Sequence, residues 1–172
     1  MNVILIAATS LDGYIARHPL EHIDFNSPAD KAWFRERTRQ AGAVIMGRNT
    51  FETFGQHPLP ERLNVVVTHQ PASEQADPAG TSDLQFTNQS PAQILAELER
   101  RGHHEAAVIG GSQINALFLQ AGLINELFVT ITPHLFGSGV PLFADAPEIK
   151  LELIDSRPLG PGELLLHYRV AS

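Results

Sequence analysis

The sequence predicts an α/β fold in which a mixed, mostly parallel central sheet lies between two layers of helices. Strand-like and helix-like segments alternate along most of the chain, which is typical of parallel strands joined by helical crossovers. The first of them, Val3–Ala8, is apolar at every position, as expected of a strand buried on both faces. Near the C-terminus two strand-like runs flank a Pro- and Gly-rich turn, which predicts an antiparallel hairpin at one edge of the sheet.

Local signals predict the remaining elements. Ser27 and Pro28 are typical of a helix start, and this helix is expected to run to about Gln40. The segment Gln70–Asp83 is rich in Pro, Ala, Ser, Gly and Asp and is expected to be a surface loop. The other predicted elements are strands at Ala43–Met46, Leu63–Thr68, Ala106–Ile109, Leu127–Thr132, Leu151–Asp155 and Glu163–Val170, and helices at Thr50–Phe54, Pro91–Arg101 and Ser112–Ala121.

Composition excludes several classes of protein. The 172 residues carry a formal net charge of −7, which argues against a nucleic-acid partner because phosphate backbones require a basic surface. There is no cysteine, so disulfides, zinc–cysteine sites and thiol catalysis are excluded. The N-terminus has strand character and no basic leader, and no apolar run is long enough to span a membrane. We therefore expect one cytoplasmic domain over residues 1–172, a monomer or homodimer, that acts on a small molecule.

The eight histidines do not predict a metal site. His18 and His22 are four residues apart, but Pro19 is incompatible with a regular helical pair between them. His103 and His104 lie at a predicted helix end, where histidine suits the helix dipole.

Two turns that follow strands have features of phosphate-binding sites. Gly47, Arg48 and Thr50 lie at a predicted helix start, where free N–H groups and a guanidinium can bind an anion; the alternative is an ordinary capped turn with a surface arginine. Gly110 and Gly111 would let a diphosphate approach the backbone closely, although a tight turn that needs positive φ also explains them. Because parallel strands end at one edge of a sheet, a dinucleotide could use both turns.

Asp30 has two interpretations. It lies three residues after Ser27, so it could complete a capping box at the start of the helix. It also lies beside Trp33 and Phe34 at the mouth of the sheet, where a carboxylate could hold the N–H groups of a heterocycle. The pattern alone favours the capping box.

Taken together, these segments resemble bacterial dihydrofolate reductases. The matching segments keep their order and register over about residues 2–130: Ile6–Ala8, Pro28–Asp30 with Ala32–Phe34, Val44–Glu52, Pro58–Arg62 and Val108–Gly111. Thr132–Phe143, together with Ser10–Gly13, is instead similar to the riboflavin-pathway reductases of the RibD C-terminal type. The two branches share one fold and NADPH chemistry, so the resemblance implies a dihydrofolate reductase-like fold and an NADPH-dependent oxidoreductase.

The resemblance also implies a cofactor site. Arg48 would face the 2′-phosphate of NADPH, and Ala8 and Ile15 would border its nicotinamide. The peptide bond between Gly110 and Gly111 is expected to have unusual geometry, such as a cis bond. The other residues implied at the cofactor are Gly47, Asn49, Thr50, Thr68, Gly110, Gly111, Ser112, Gln113 and Ile114.

For the substrate, the folate branch implies Asp30 and Thr130 as the catalytic pair, within hydrogen-bond reach of each other at about 2.6–3.2 Å. Ala8 and Phe34 would contact the substrate ring, and Arg62 would bind a carboxylate on its tail. Three departures from the folate pattern stand out: Phe25 in place of a tryptophan, Gln113 and Asn115 in place of arginine and tyrosine, and the glycine-rich turn Phe136–Gly139.

Three functions are compatible with these features. The first is hydride transfer to a pterin-type, dihydrofolate-like substrate. The alternative is a riboflavin-pathway reductase that acts on a ribosylaminopyrimidine, whose phosphate would need a basic partner; Arg17 and Arg62 are the candidates. A second alternative is a pterin- or drug-binding module that has lost turnover.

Overall fold

The computed structural model describes residues 1–70 and 83–171. Its strands are β1 (Asn2–Thr9), β2 (Tyr14–Ala16), β3 (Ala43–Gly47), β4 (Leu63–Val67), β5 (Leu84–Thr87), β6 (Glu105–Val108), β7 (Glu126–Ile131), β8 (Val140–Pro141), β9 (Leu151–Pro158) and β10 (Leu164–Val170). Its helices are α1 (Pro28–Ala41), α2 (Arg48–Thr53), α3 (Pro91–Arg100) and α4 (Ser112–Gln120). All but the end residues of the predicted surface loop Gln70–Asp83 lie outside the described residues.

Eight strands form one sheet in the order β5-β4-β3-β6-β1-β7-β10-β9. The six strands from β5 to β7 pair in parallel, whereas β10 pairs antiparallel with β7 and with β9. β1 is central, and its Leu5 is in register with Val108 of β6 and Leu127 of β7. The predicted fold class, a mostly parallel sheet with a C-terminal antiparallel hairpin, is confirmed.

The sheet is buried on both faces because successive side chains of a strand point in opposite directions. In β1, Val3 and Leu5 pack against the side covered by α3 and α4, and Ile4 and Ile6 pack against the side covered by α1 and α2. These four side chains are at most 3% exposed. Full burial of one such side chain contributes about 1.5–3 kcal/mol, so this central strand holds the three layers together.

Three short strands were not predicted from the sequence. β5 adds to the edge of the sheet beside β4, and β2 pairs with β8 in a separate two-stranded sheet. These strands contain four, three and two residues, respectively, which is too short for a hydrophobic period to be recognised.

Two predicted boundaries differ from the structure by more than one residue. α2 begins at Arg48 and has Gly47 as its N-cap, so Thr50 does not cap this helix. The β9 strand continues to Pro158 rather than ending at Asp155, because its residues stay paired with β10 as far as Leu164. None of the helices within residues 1–70 and 83–171 combines the length and hydropathy needed to cross a bilayer.

Candidate active site

The carboxyl ends of β3, β6, β1 and β7 lie side by side and form what we call the carboxyl edge of the sheet. Ala8 of β1 is the register partner of Thr130 of β7, and Gly47 is the last residue of β3. Gly110 follows β6. Open parallel sheets bind ligands at this edge, so the structure brings these predicted site residues to the expected place.

The two predicted phosphate-binding turns meet at a glycine junction. Gly47 N donates a hydrogen bond to Gly110 O (2.8 Å), and the Gly110–Gly111 peptide bond is cis, as the resemblance implied. A Cβ atom at Gly47 would lie 3.0 Å from Cγ1 of Ile114, and one at Gly111 would lie 3.4 Å from Oγ1 of Thr50. The absence of side chains at the junction therefore lets the starts of α2 and α4 lie close together.

Arg48 projects from the first turn of α2 beside this junction. Its Nε donates to Oε1 of Glu52 (2.9 Å), and its guanidinium carbon lies 5.8 Å from the centroid of the Phe86 ring. The side chain is 30% exposed, so the guanidinium is held in place but remains accessible to an anion.

Three buried oxygens near the carboxyl edge have no hydrogen-bond partner in the described part of the chain. They are Oγ1 of Thr9, Oγ of Ser112 and Oδ1 of Asn115, from residues at most 7% exposed. Buried polar atoms are nearly always hydrogen-bonded, so these oxygens are suited to a ligand or to ordered water. Together with Arg48 and the uncapped start of α4, they fit a phosphorylated dinucleotide.

The other predicted cofactor residues are more dispersed. Ile15 is half-buried on β2, and Thr68 follows β4, where its N–H donates to Thr87 O (2.9 Å). Asn49 and Gln113 are exposed in the first turns of α2 and α4. All four lie on elements that end or begin near the carboxyl edge.

Asp30 is buried in the first turn of α1 and contacts β7. It is 4% exposed; its Oδ1 accepts a hydrogen bond from Thr130 Oγ1 (2.6 Å), and its Oδ2 accepts one from Asn26 Nδ2 (2.6 Å). Burial raises the pKa of Asp30, the negative charge of Glu163 acts in the same direction, and the two hydrogen bonds oppose them. The predicted proximity of Asp30 to Thr130 is confirmed.

The capping-box interpretation of Asp30 is wrong. Ser27 does cap α1, since its Oγ accepts from Asp30 N (3.1 Å). The reciprocal bond is made not by Asp30 but by Glu163, whose Oε1 accepts from Ser27 N (2.6 Å) and whose Oε2 accepts from Ser27 Oγ. Glu163 is 4% exposed, and sequence reasoning placed it in a strand without a role. A carboxylate directly after a Pro- and Gly-rich turn was the only signal.

Phe34 is half-buried one turn after Asp30 on α1, so the two side chains share a face of the helix. Its ring is stacked with that of Phe54 at a centroid distance of 6.4 Å. Phe34 therefore forms an apolar wall beside the buried carboxylate.

Arg62 forms no hydrogen bond with Asp30, Thr130 or Phe34. It is 4% exposed, its Nε donates to Pro60 O (2.8 Å), and its Nη1 donates to Arg35 O (3.2 Å) and to Thr38 Oγ1. Thr38 lies eight residues after Asp30, about 12 Å along the helix axis. Arg62 is thus held by its own chain, two turns of helix from the Asp30 carboxylate.

The turn Ser10–Gly13 is joined to the turn Phe136–Gly139, which we call the glycine turn. Asp12 accepts hydrogen bonds from Phe136 N (3.1 Å) and Gly137 N (2.7 Å). A hydrogen bond from Ser10 and these two backbone bonds lower the pKa of Asp12 to about 2. The carboxylate of Asp12 therefore links two segments that are 124 residues apart in sequence.

Phe25, which replaces the tryptophan of the folate pattern, packs against the glycine turn. It is 6% exposed, and its ring centroid lies 5.0 Å from that of Phe136 in an edge-to-face arrangement. The guanidinium of Arg17 lies over the Phe136 ring, 4.8 Å from its centroid, and pairs with Glu21 and Asp24.

Within residues 1–70 and 83–171, no cluster of His, Asp and Glu could hold a metal ion.

The fold and the carboxyl edge with its acid–threonine pair resemble the dihydrofolate reductase superfamily. Within that superfamily, the chain belongs to the RibD C-terminal domain family, whose model matches residues 1–165. The chain is 34% identical to the dihydrofolate reductase of Bacillus subtilis (strain 168), over 78% of its own length and 71% of that protein.

Two solved structures have the same fold. One, from Shewanella sp. PV-4 and assigned to riboflavin biosynthesis, is 26% identical with a TM-score of 0.76, and each chain is fully covered. The other is the bifunctional deaminase and 5-amino-6-(5-phosphoribosylamino)uracil reductase of Thermotoga maritima, 19% identical with a TM-score of 0.80, over 99% of this chain and 56% of that one. The family match supports reductase activity, and it favours the riboflavin-pathway alternative over the pterin-type substrate.

Proposed function

We propose that this chain is an NADPH-dependent reductase of a substrate that contains an aminopyrimidine-type ring, and that Asp30 binds this ring. The observation that carries the proposal is the buried carboxylate of Asp30, held by Thr130 beside the end of β1. Each carboxylate oxygen accepts one protein hydrogen bond and can accept another, so a ring that presents an amino group next to an N–H group matches it. Pterins and ribosylaminopyrimidines both contain a pyrimidine ring that carries amino groups.

The cofactor part of the proposal rests on the glycine junction and Arg48. The junction brings the starts of α2 and α4 together, where a diphosphate could accept hydrogen bonds from free N–H groups, and the Arg48 guanidinium offers a charge-assisted contact to the 2′-phosphate. NADPH supplies the hydride when it is bound. The residues of this chain would bind and orient the cofactor and the substrate and would exclude water from them.

Asp30 assists the reaction through the substrate ring. With a pterin substrate, its carboxylate would accept a hydrogen bond from the ring and raise the basicity of the ring nitrogen that is protonated, with the proton arriving through water. With a ribosylaminopyrimidine, the ribose is reduced and opened, and Asp30 would bind the ring. Phe34 supplies an apolar wall beside the ring.

Two substrates remain candidates, and each has one observation in its favour. The family match favours a ribosylaminopyrimidine. The burial of Arg62, which is held by its own chain, favours an unphosphorylated pterin, because it occupies one of the two predicted phosphate partners.

The test is NADPH oxidation, followed by absorbance, against dihydrofolate, a dihydropterin, and a ribosylaminopyrimidine with and without its phosphate. We expect turnover of at least one ring. A rise in KM when the phosphate is removed would assign the riboflavin-pathway reaction, and turnover of pterins alone would assign the folate type. Ring binding without NADPH oxidation would contradict the proposal and leave a binding module.

A further inference from the structure

Two carboxylates are buried at the start of α1 and are connected through one serine. Asp30 and Glu163 are each 4% exposed. Ser27 Oγ accepts from Asp30 N (3.1 Å) and donates to Glu163 Oε2, while Ser27 N donates to Glu163 Oε1 (2.6 Å). Within residues 1–70 and 83–171, neither carboxylate forms an ion pair with a cation.

We propose that Glu163 is a positioning residue for Asp30: by binding both polar groups of Ser27, it fixes the start of α1 and holds the Asp30 carboxylate in its ligand-binding orientation. This inference rests on the proposed function, in which Asp30 binds the substrate ring.

The topology explains why a residue of the C-terminal hairpin can reach α1. Glu163 lies two residues before Leu165, which is the register partner of Thr130. Glu163 therefore directly precedes β10, the strand that pairs with the strand of Thr130. Thr130, which binds Asp30 directly, comes from β7, and Glu163, which acts through Ser27, comes from the residue before its neighbour β10.

The turn between β9 and β10 packs closely against the contact between Ser27 and Glu163. A Cβ atom at Gly160 would lie 2.5 Å from Ser27 Oγ and 2.8 Å from Glu163 Oε2, distances that no real Cβ contact tolerates. Glycine at this position lets the turn backbone lie against the serine–glutamate pair. The pair is thereby shielded from water, which strengthens its hydrogen bonds.

The charged and polar groups around Asp30 identify what Glu163 contributes electrostatically. Thr130 donates from β7 and Asn26 from the segment before α1, Lys31 is exposed on α1, and Glu163 supplies the nearby negative charge. A like charge disfavours ionisation, so removing the charge of Glu163 lowers the pKa of Asp30.

The test compares Glu163→Gln with Glu126→Gln, a matched carboxylate-to-amide change at the opposite end of β7, where Glu126 pairs with His167. The glutamine keeps the size of Glu163 and one acceptor for Ser27 but removes the charge. Carboxyl-carbon NMR follows the titration of Asp30 in each protein, and calorimetry measures the binding of 2,4-diaminopyrimidine, a small donor-rich ring.

In Glu163→Gln we expect the pKa of Asp30 to fall and the affinity for the probe to fall about fivefold or more. In Glu126→Gln we expect neither change. A thermal shift in Glu163→Gln with an unaltered Asp30 titration and unaltered probe affinity would assign a merely structural role and overturn the proposal.

Ser27→Ala provides a second, independent test because it cuts the connection between the two carboxylates. If Glu163 acts through Ser27, the double variant binds the probe no more weakly than the weaker single variant; additive losses would overturn the proposal. Failure of the proposed function is distinguishable, since it would appear as absent NADPH oxidation and absent probe binding in the wild type. The Asp30 titration would still test the connection to Glu163 in that case.

Discussion

Replacing Asp30 by asparagine separates the binding role of this carboxylate from its structural role. The amide can keep the hydrogen bonds of the site, because its Oδ1 can still accept from Thr130. Asn26 carries a buried Oδ1 without a partner in the described residues, so rotation of the Asn26 amide offers an acceptor to the new NH₂ group. We therefore expect the unfolding free energy at neutral pH to stay within about 1 kcal/mol of the wild type.

The effect on turnover follows from the charge. Loss of a charge-assisted hydrogen bond costs about 1.5–3 kcal/mol, and tenfold in rate corresponds to about 1.36 kcal/mol, so kcat/KM should fall about 10- to 150-fold. NADPH oxidation measures the rate, and urea denaturation measures stability. A folded Asp30→Asn protein with kcat/KM within about twofold of the wild type would refute the reasoning, because a substrate carboxylate cannot be neutralised at so small a cost.

The pH dependence of stability gives an independent check on the same variant. Burial raises the pKa of Asp30 in the folded protein, so the folded state binds this proton more tightly than the unfolded state. The stabilisation linked to that proton is complete below the unfolded-state pKa and is lost as the pH rises through the folded-state pKa. The wild type should therefore gain stability relative to Asp30→Asn as the pH falls from neutral. A relative loss on acidification would contradict the raised pKa.

Two further predictions concern the cofactor and the glycine turn. Arg48→Ala should weaken NADPH binding by about 1.5–3 kcal/mol and leave NADH binding nearly unchanged, with Arg101→Ala as the control; an unaltered ratio of the two affinities would remove the 2′-phosphate assignment. Gly139→Ala should destabilise the protein by about 1–3 kcal/mol more than Gly122→Ala. A Cβ atom at position 139 would lie 2.3 Å from Ala16 O, whereas a Cβ atom at position 122, where φ is also positive, would meet no atom within 4 Å. Equal losses in thermal unfolding would show that the β2–β8 contact tolerates a side chain.

Contacts between distant segments could not be read from the chain. Nothing in the vicinity of Asp12 indicates that its carboxylate binds the backbone of Phe136 and Gly137, because those partners follow more than a hundred residues later. The same holds for Glu163, whose partner Ser27 carries a signal for a helix cap but none for a second carboxylate. Arg62 matched a ligand-binding pattern, and its contacts with α1 were not visible in that pattern.

The sequence by itself determined the layered α/β fold and the carboxyl edge as the place of the site, whereas the pairing of Asp30 with Thr130 came only from the resemblance to dihydrofolate reductases. It could do so because strand and helix periods, helix caps and short motifs are local, and parallel strands all end at one edge of the sheet. Only the tertiary structure decided that Glu163 rather than Asp30 completes the cap of α1, and that Asp12 and Phe25 hold the glycine turn. These contacts depend on which side chains the fold brings close to an unpaired backbone N–H or to an apolar turn. A local sequence pattern does not contain that information.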